Sequence, residues 1–375
     1  MDFWLINYSM GILISALLTG LIIPKILLIA FRKRLFDDVN ERKIHHGVVP
    51  RLGGIAFMPS MLFSFFLVVG VNWRMGRLDM LQEMTPSMMP AFFVVCALML
   101  IYLVGMADDL VGVRYIAKFM FQILAGLLVV MSGLWIHDLY GFLWIGSIPS
   151  FIGWMFTILL VIYVTNAINL IDGIDGLASG LSIIALIFYG YVFYSYDSYT
   201  FLLLSGAMLG TLLPFFYFNV FGDANRHTKI FMGDTGALTV GLMLSFMMLK
   251  VFALPQNHQA IGENNFIMAL APIMLPCFDV VRVFFHRIRR GCNPFLPDKC
   301  HIHHKLLALG LVQWQALVSI LVTDAVFIAM NLLLSGMIQP TLMITMDIAI
   351  WVLLNILLTK MIRRRERVTG KILYK

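Results

Sequence analysis

Eleven predominantly apolar runs divide the chain, at 4–30, 52–71, 89–106, 115–135, 151–170, 177–194, 200–220, 236–254, 265–285, 312–335 and 340–361. Each approaches the ~20 residues an α-helix needs to cross the hydrocarbon core. None has the short alternating pattern of a membrane β-barrel strand. The pattern predicts an all-α polytopic membrane protein with about eleven transmembrane helices, and an odd number puts the termini on opposite sides. Polar stretches never exceed about 25 residues, so 1–375 reads as one integral-membrane domain with no large soluble part. Residues 1–30 lack a basic start and a small-x-small cleavage site, and are expected to be a first span rather than a removed leader. The polar connections fall at 31–51, 107–114, 171–176, 221–235 and 286–311, with a basic tail at 362–375.

Composition agrees with the pattern. The chain is 61% hydrophobic and 13% charged, with a mean hydropathy of +0.90, whereas soluble domains run near a quarter charged. The net charge of +7 sits in short blocks between spans, which excludes a nucleic-acid-binding reading. Arg32, Lys33, Arg34, Arg42, Lys43 and Arg51 occupy one loop, Arg287, Arg289, Arg290, Lys299 and Lys305 another, and Arg363, Arg364, Arg365, Arg367, Lys371 and Lys375 the tail. The opposite loops hold little beyond Arg74 and Arg77. Positive charge marks the cytoplasmic side, so the N-terminus is expected outside and the C-terminus inside. Cys96, Cys277, Cys292 and Cys300 are too few and too scattered for a disulfide framework.

Sorting the other charges by side locates the chemistry. The cytoplasmic set includes Asp37, Asp38, Asp108, Asp109, Asp172, Asp175, Asp223, Asp234 and Asp298, with His45, His46, His227, His286, His301, His303 and His304. The densest stretch is NAINLIDGIDGLASG, from Asn166 to Gly180, which follows an almost wholly apolar run. A carboxylate at the bilayer centre costs roughly 3 kcal/mol on insertion scales, so Asp172 and Asp175 belong at the water edge or in a wet cavity. If helical, residues three apart share a face and both carboxylates would point at one ligand. A polar helix end with glycine turns would explain one or two of these groups, but not the set.

Other motifs join it. MADDLVG sets Asp108 and Asp109 at the end of the third span, and Lys118 and Gln122 lie four apart on the next helix, where Lys118 could snorkel or neutralise a phosphate. FMGDTGA puts Asp234 where an N-cap would fall, and capping is compatible with metal binding if one oxygen does each. Mg²⁺ takes one or two protein carboxylates and completes its octahedron with water and phosphates, so Asp234 with one group from 166–175 would suffice. DKCHIHHKLLALG offers His301, His303 and His304 between cations, suited to gripping a pyrophosphate or sugar; zinc on Cys292, Cys300 and the histidines lacks a CxxC or HxxxH spacing. The PRLGG turn after Arg51 could bring backbone amides near a phosphate.

Taken together, ADD at 107–109, Lys118, NAINLIDGIDGL at 166–177, FMGDTG at 231–236 and DKCHIHHKLLALG at 298–310 resemble the polyprenyl-phosphate N-acetylhexosamine-1-phosphate transferases, closest to the WecA/TagO branch. That resemblance implies a ten- or eleven-helix enzyme of the bacterial inner membrane with a cytoplasmic active site. It would move a sugar-1-phosphate, GlcNAc-1-phosphate first, from a UDP-sugar to undecaprenyl phosphate and release UMP. It implies Mg²⁺, with Mn²⁺ as a substitute, on Asp234 and Asn169, and catalytic roles for Asp108, Asp109, Lys118, Asp172 and Asp175. Substrate contacts would fall to Asn166, Arg51, His301, His303 and His304. Expected partners are the UDP-sugar, undecaprenyl phosphate and membrane lipids, with a homodimer as an option and no nucleic acid. A secondary transporter is the reading from a different class. It would place its ionisable residues near the midplane within paired broken helices, and no such pairing is evident in the sequence.

Overall fold

The computed structural model describes residues 2–35, 48–255, 264–291, 293, 300–370 and 373–374. Asp37, Asp38, His45, His46, Cys292, Asp298 and Lys299 therefore lie outside the described residues. The architecture is all-helical: α1 (Phe3–Lys33), α2 (Phe57–Arg74), α3 (Leu78–Val111), α4 (Tyr115–Met131), α5 (Ser150–Ile171), α6 (Leu177–Ser195), α7 (Tyr199–Val220), α8 (Gly233–Phe252), α9 (Asn265–Leu270), α10 (Met274–Arg289), α11 (Ile302–Ala308), α12 (Gln313–Leu334) and α13 (Pro340–Thr369). Among the described residues, ten helical traverses are long and apolar enough to cross a membrane, and α4, at 17 residues, is a shorter apolar helix. The traverse at 265–289 is two helices joined by a 3₁₀ turn over Ala271–Ile273. Pro272 cannot donate a backbone hydrogen bond there, and the helix tightens instead of continuing. Several boundaries differ from the hydropathy pattern: α3 starts earlier, at Leu78, and runs on to Val111, so Asp108 and Asp109 are helical, and α13 continues through the basic tail to Thr369.

The bundle is assembled around α8, which is buried along nearly its whole length. It packs against α3, α5, α6, α9 and the 3₁₀ turn Gly53–Ala56. Helices in a bilayer gain little from burying apolar surface against one another, so close packing needs small residues. Gly54 lies against the backbone of Gly236, Gly105 against Thr235, and Gly241 against Thr165. The same device seats Gly206 and Gly210 of α7 against Tyr8 and Ile12 of α1. Two buried hydroxyls of α8 are satisfied within the helix: Thr239 Oγ1 donates to the Thr235 carbonyl at 2.6 Å and Ser245 Oγ to that of Gly241 at 2.7 Å.

Two acids depart from the single-surface distribution read from the sequence. Asp324 on α12 and Asp347 on α13 are fully buried within their spans. Asn331 Nδ2 donates to Asp347 Oδ1 at 3.2 Å and links the two helices, whereas Asp324 has no protein hydrogen-bond partner among the described residues.

The glycine contacts give a testable contrast. Adding a methyl at Gly54 would drive it into the Gly236 backbone, and overpacking costs about 1–3 kcal/mol. At Gly70 of α2 the space is open, and alanine in a helix interior is favoured by roughly 0.5–1 kcal/mol. Thermal unfolding in detergent should show Gly54→Ala melting below the parent protein and Gly70→Ala at or above it.

Candidate active site

The site starts from the way α8 begins. Gly233 is held at φ +71°, a conformation glycine adopts without penalty, with Asp109 and the Arg51 carbonyl packed where a side chain would go. The carboxylate of Asp109, in the last turn of α3, reaches across to this helix start. Its Oδ1 accepts from the Asp234 N–H at 2.8 Å, and its Oδ2 from the Thr235 N–H at 2.8 Å and the Thr235 hydroxyl at 2.5 Å. An acid from a neighbouring helix thus satisfies the orphan donors of a helix N-terminus. This corrects the N-cap expectation for Asp234. The cap residue is Met232, with no side-chain bond of its own, and Asp234 is already in the first turn.

Released from capping, the Asp234 side chain points at a cation. Lys118 Nζ donates to Asp234 Oδ2 at 2.7 Å and to Asp108 Oδ2 at 2.9 Å, bridging α3, α4 and α8. Asn169 Nδ2 of α5 donates to the other oxygen of Asp234 at 3.2 Å. Asp108 Oδ1 accepts from the Val113 N–H at 2.6 Å, in the turn after α3. Asp108 and Asp109 are therefore adjacent in sequence and divergent in role: one belongs to the Lys118 cluster, the other is fully engaged holding α8. Side-chain exposures of 15% for Asp108, 26% for Lys118 and 27% for Asp234 leave the cluster open to a ligand. Asn166 lies deeper. Its Nδ2 donates to Gln122 Oε1 at 2.7 Å and to the Ile162 carbonyl at 2.8 Å, and Gln122 Nε2 donates back at 3.3 Å. This amide pair braces α4 against α5 below the Lys118 cluster.

The acidic turn forms the next wall. α5 ends at Ile171, with Asp172 as its C-cap residue. The shared helical face expected for Asp172 and Asp175 does not exist. Asp175 Oδ2 accepts from Lys229 Nζ at 2.6 Å. Asn219 clamps the same turn, accepting from the Gly176 N–H at 2.6 Å and donating to the Ile230 carbonyl at 2.8 Å. Burial, and secondarily the Asp175 charge, push the Asp172 carboxyl up to about 7, with Arg51 opposing the rise. Arg51 brings its charge but not the amides beyond it. The Gly53 and Gly54 N–H groups donate to the Phe231 and Met232 carbonyls at 3.0 and 2.9 Å, which corrects the expectation of an amide cradle at PRLGG.

The histidine segment closes over this turn. His303 lies on Gly173, where a side chain would strike its ring. It is almost wholly buried, and neither ring nitrogen has a hydrogen-bond partner among the described residues. Burial, then the neighbouring His304 and His301, drive its pKa down to about 3, so the ring is neutral. His301 stacks parallel to His303 at 5.8 Å, and its Nδ1 sits 2.9 Å from Asp279 Oδ2. Asp279 also accepts from the Arg282 guanidinium at 2.7 and 3.1 Å and from the Ile302 N–H at 3.2 Å.

Five working residues were missed at the sequence level: Lys229, Asn219, Thr235, Asp279 and Arg282. Asp279 and Arg282 carried a usable signal, an acid and an arginine at i,i+3 near the basic end of an otherwise apolar span. Lys229 and Asn219 carried none, because their partners are remote in sequence.

A multi-pass helical membrane protein with an open carboxylate–lysine–amide cluster at one end of its bundle defines a class, and comparison with known proteins narrows it. The glycosyl transferase family 4 pattern matches residues 91–252, which include Asp108, Asp109, Lys118, Asn166, Asn169, Asp172, Asp175 and Asp234 but not the histidine segment. The chain is 30% identical, over 79% of its length and 76% of the relative's, to an undecaprenyl-phosphate alpha-N-acetylglucosaminyl 1-phosphate transferase of Yersinia pestis. Proteins of the same name from Escherichia coli (strain K12) and Salmonella typhi are 28% and 29% identical, over 81% and 80% of this chain and 78% and 76% of their own. The chain belongs to glycosyl transferase family 4.

Asp172 and His303 titrate with opposite sign. The raised Asp172 contributes stability below pH 3.8 that is lost as pH rises through about 7. The lowered His303 contributes stability above pH 6.5 that is lost as pH falls towards about 3. Between pH 4 and pH 7, melting temperatures of Asp172→Asn relative to the parent protein should therefore rise with pH. Those of His303→Asn relative to the parent should fall with pH over the same window.

Proposed function

We propose that this protein transfers GlcNAc-1-phosphate from UDP-GlcNAc to undecaprenyl phosphate at the cytoplasmic face of the bacterial inner membrane, releasing UMP and starting a cell-envelope polysaccharide. The names of its relatives support the acceptor and the sugar. The observation that carries the reading is the Lys118 bridge between Asp108 and Asp234, with Asn169 on the second Asp234 oxygen.

The donor set fits a hard divalent cation. Asp234 and Asn169 converge, and Asp108 shares the Lys118 ammonium with Asp234. Mg²⁺, or Mn²⁺ in its place, held by Asp234 and Asn169 would neutralise charge on the diphosphate and on departing UMP.

The lipid phosphate has a second pKa near 6 and reaches the site mostly as a dianion. One of its oxygens attacks the β-phosphorus of the UDP-sugar. The new P–O bond forms as the bond to the α-phosphate oxygen breaks, and UMP leaves with that electron pair. Bringing two anions together is the main barrier, and the Lys118 ammonium offsets part of it while sharing its protons between two carboxylates. The fraction of acceptor still protonated needs a base. Asp109 is unsuited because three donors already occupy its oxygens. Asp108, or Asp172 poised near neutrality, matches that task. The same occupancy disfavours an aspartyl-phosphate on Asp109. His303, neutral and without a protein hydrogen-bond partner among the described residues, offers the donor sugar-phosphate a hydrogen-bonding edge once the two meet.

Asp234→Ala should abolish UMP release from UDP-GlcNAc and undecaprenyl phosphate and weaken the Mg²⁺ dependence of nucleotide binding. Lys118→Gln should lower kcat by roughly 10²-fold, the scale for removing one charge-stabilising donor. Near-normal turnover of Asp234→Ala would refute the site. A panel of UDP-HexNAc donors with one lipid acceptor decides the sugar.

A further inference from the structure

The chain beyond α13 turns back on the histidine segment. Gly370 ends the helix at φ +66°, its N–H donating to the Glu366 carbonyl at 2.9 Å. A single oxygen of the Glu366 side chain then accepts from the N–H groups of both Leu373 and Tyr374, at 2.8 and 3.1 Å. This fixes Tyr374 so that its hydroxyl donates to the Cys300 carbonyl at 2.7 Å, beside the Arg282 guanidinium, which donates to the same oxygen at 2.5 Å. Cys300 is buried and directly precedes His301. A second attachment comes from the same helix, because Lys305 Nζ of α11 donates to Asn355 Oδ1 at 3.0 Å and Thr359 Oγ1 at 3.2 Å.

We propose that Leu373 and Tyr374 form a strap which, with Glu366 as its fastening, positions His301 and His303 over the Gly173 turn for the phosphosugar end of the donor. A continuous physical path supports this: Glu366 holds Tyr374, Tyr374 and Arg282 hold Cys300, Asp279 holds His301, and His303 rests on Gly173. Glu366 and Tyr374 touch no substrate in this scheme. They are positioning residues, and the proposal rests on the transferase reading above.

The test uses the full chain in nanodiscs, with Tyr374→Phe, which keeps the ring and removes only the hydroxyl, and Glu366→Ala. Amide hydrogen exchange over residues 300–305 should quicken about five-fold, the scale of one hydrogen bond. The KM for UDP-GlcNAc should rise by a similar factor, with kcat, Mg²⁺ response and melting temperature close to the parent values. Unchanged exchange and KM would overturn the strap, as would a general loss of stability and of every kinetic parameter together. Exchange reads the strap without turnover. If the parent protein releases no UMP from UDP-GlcNAc, the transferase reading fails, and the exchange data still decide whether residues 373–374 hold the histidine segment.

Discussion

The cluster depends on one contact made by a group that does not face the ligand. Asp109 takes over the exposed donors at the start of α8, and because it does so from α3, it fixes the height of one helix against the other. A capping bond is worth about 1 kcal/mol, modest beside the packing of the bundle. Its larger effect is on geometry. Asp234, which would otherwise be drawn to its own helix start, is free to meet Lys118 and Asn169.

Charge is then arranged in layers. Lys118 is shared by two carboxylates and Lys229 is paired with Asp175. Further along, the Asp279 carboxylate is paired with Arg282 and lies 2.9 Å from the His301 ring. Buried pairs of this kind gain little net stability, since desolvation consumes much of the attraction. They do fix geometry: Lys118 ties α3 and α4 to α8, Lys229 holds the turn between α5 and α6, and Asp279 joins α10 to the start of α11.

The helices were legible in the sequence because a bilayer demands long apolar runs, and the motifs were legible because acids and amides at those ends have few structural reasons to cluster. What the sequence hid was division of labour. Nothing in MADDLVG distinguishes Asp108 from its neighbour; a rotation of about 100° per residue along the helix sends one to Lys118 and the other to α8. Asn166 looked like Asn169 but sits one turn deeper against Gln122. Asp172 and Asp175 matched a helical spacing, yet the helix stops at Ile171. Arg51 introduced a glycine turn whose amides are already used by Phe231 and Met232. Asp324 and Asp347 were overlooked because single acids barely alter the hydropathy of long spans.

The contact between His303 and Gly173 ties together two positions that lie far apart in the chain. A larger residue at 173 is tolerable only if the ring at 303 shrinks or withdraws, so neither position is free to drift alone. The family pattern ends before the histidine segment, whereas the constraint crosses that border. Recombination between relatives that joined one protein's first ten helices to another's remaining chain would have to match the two faces of this contact. Inheritance of the site is therefore a property of the pair rather than of either motif.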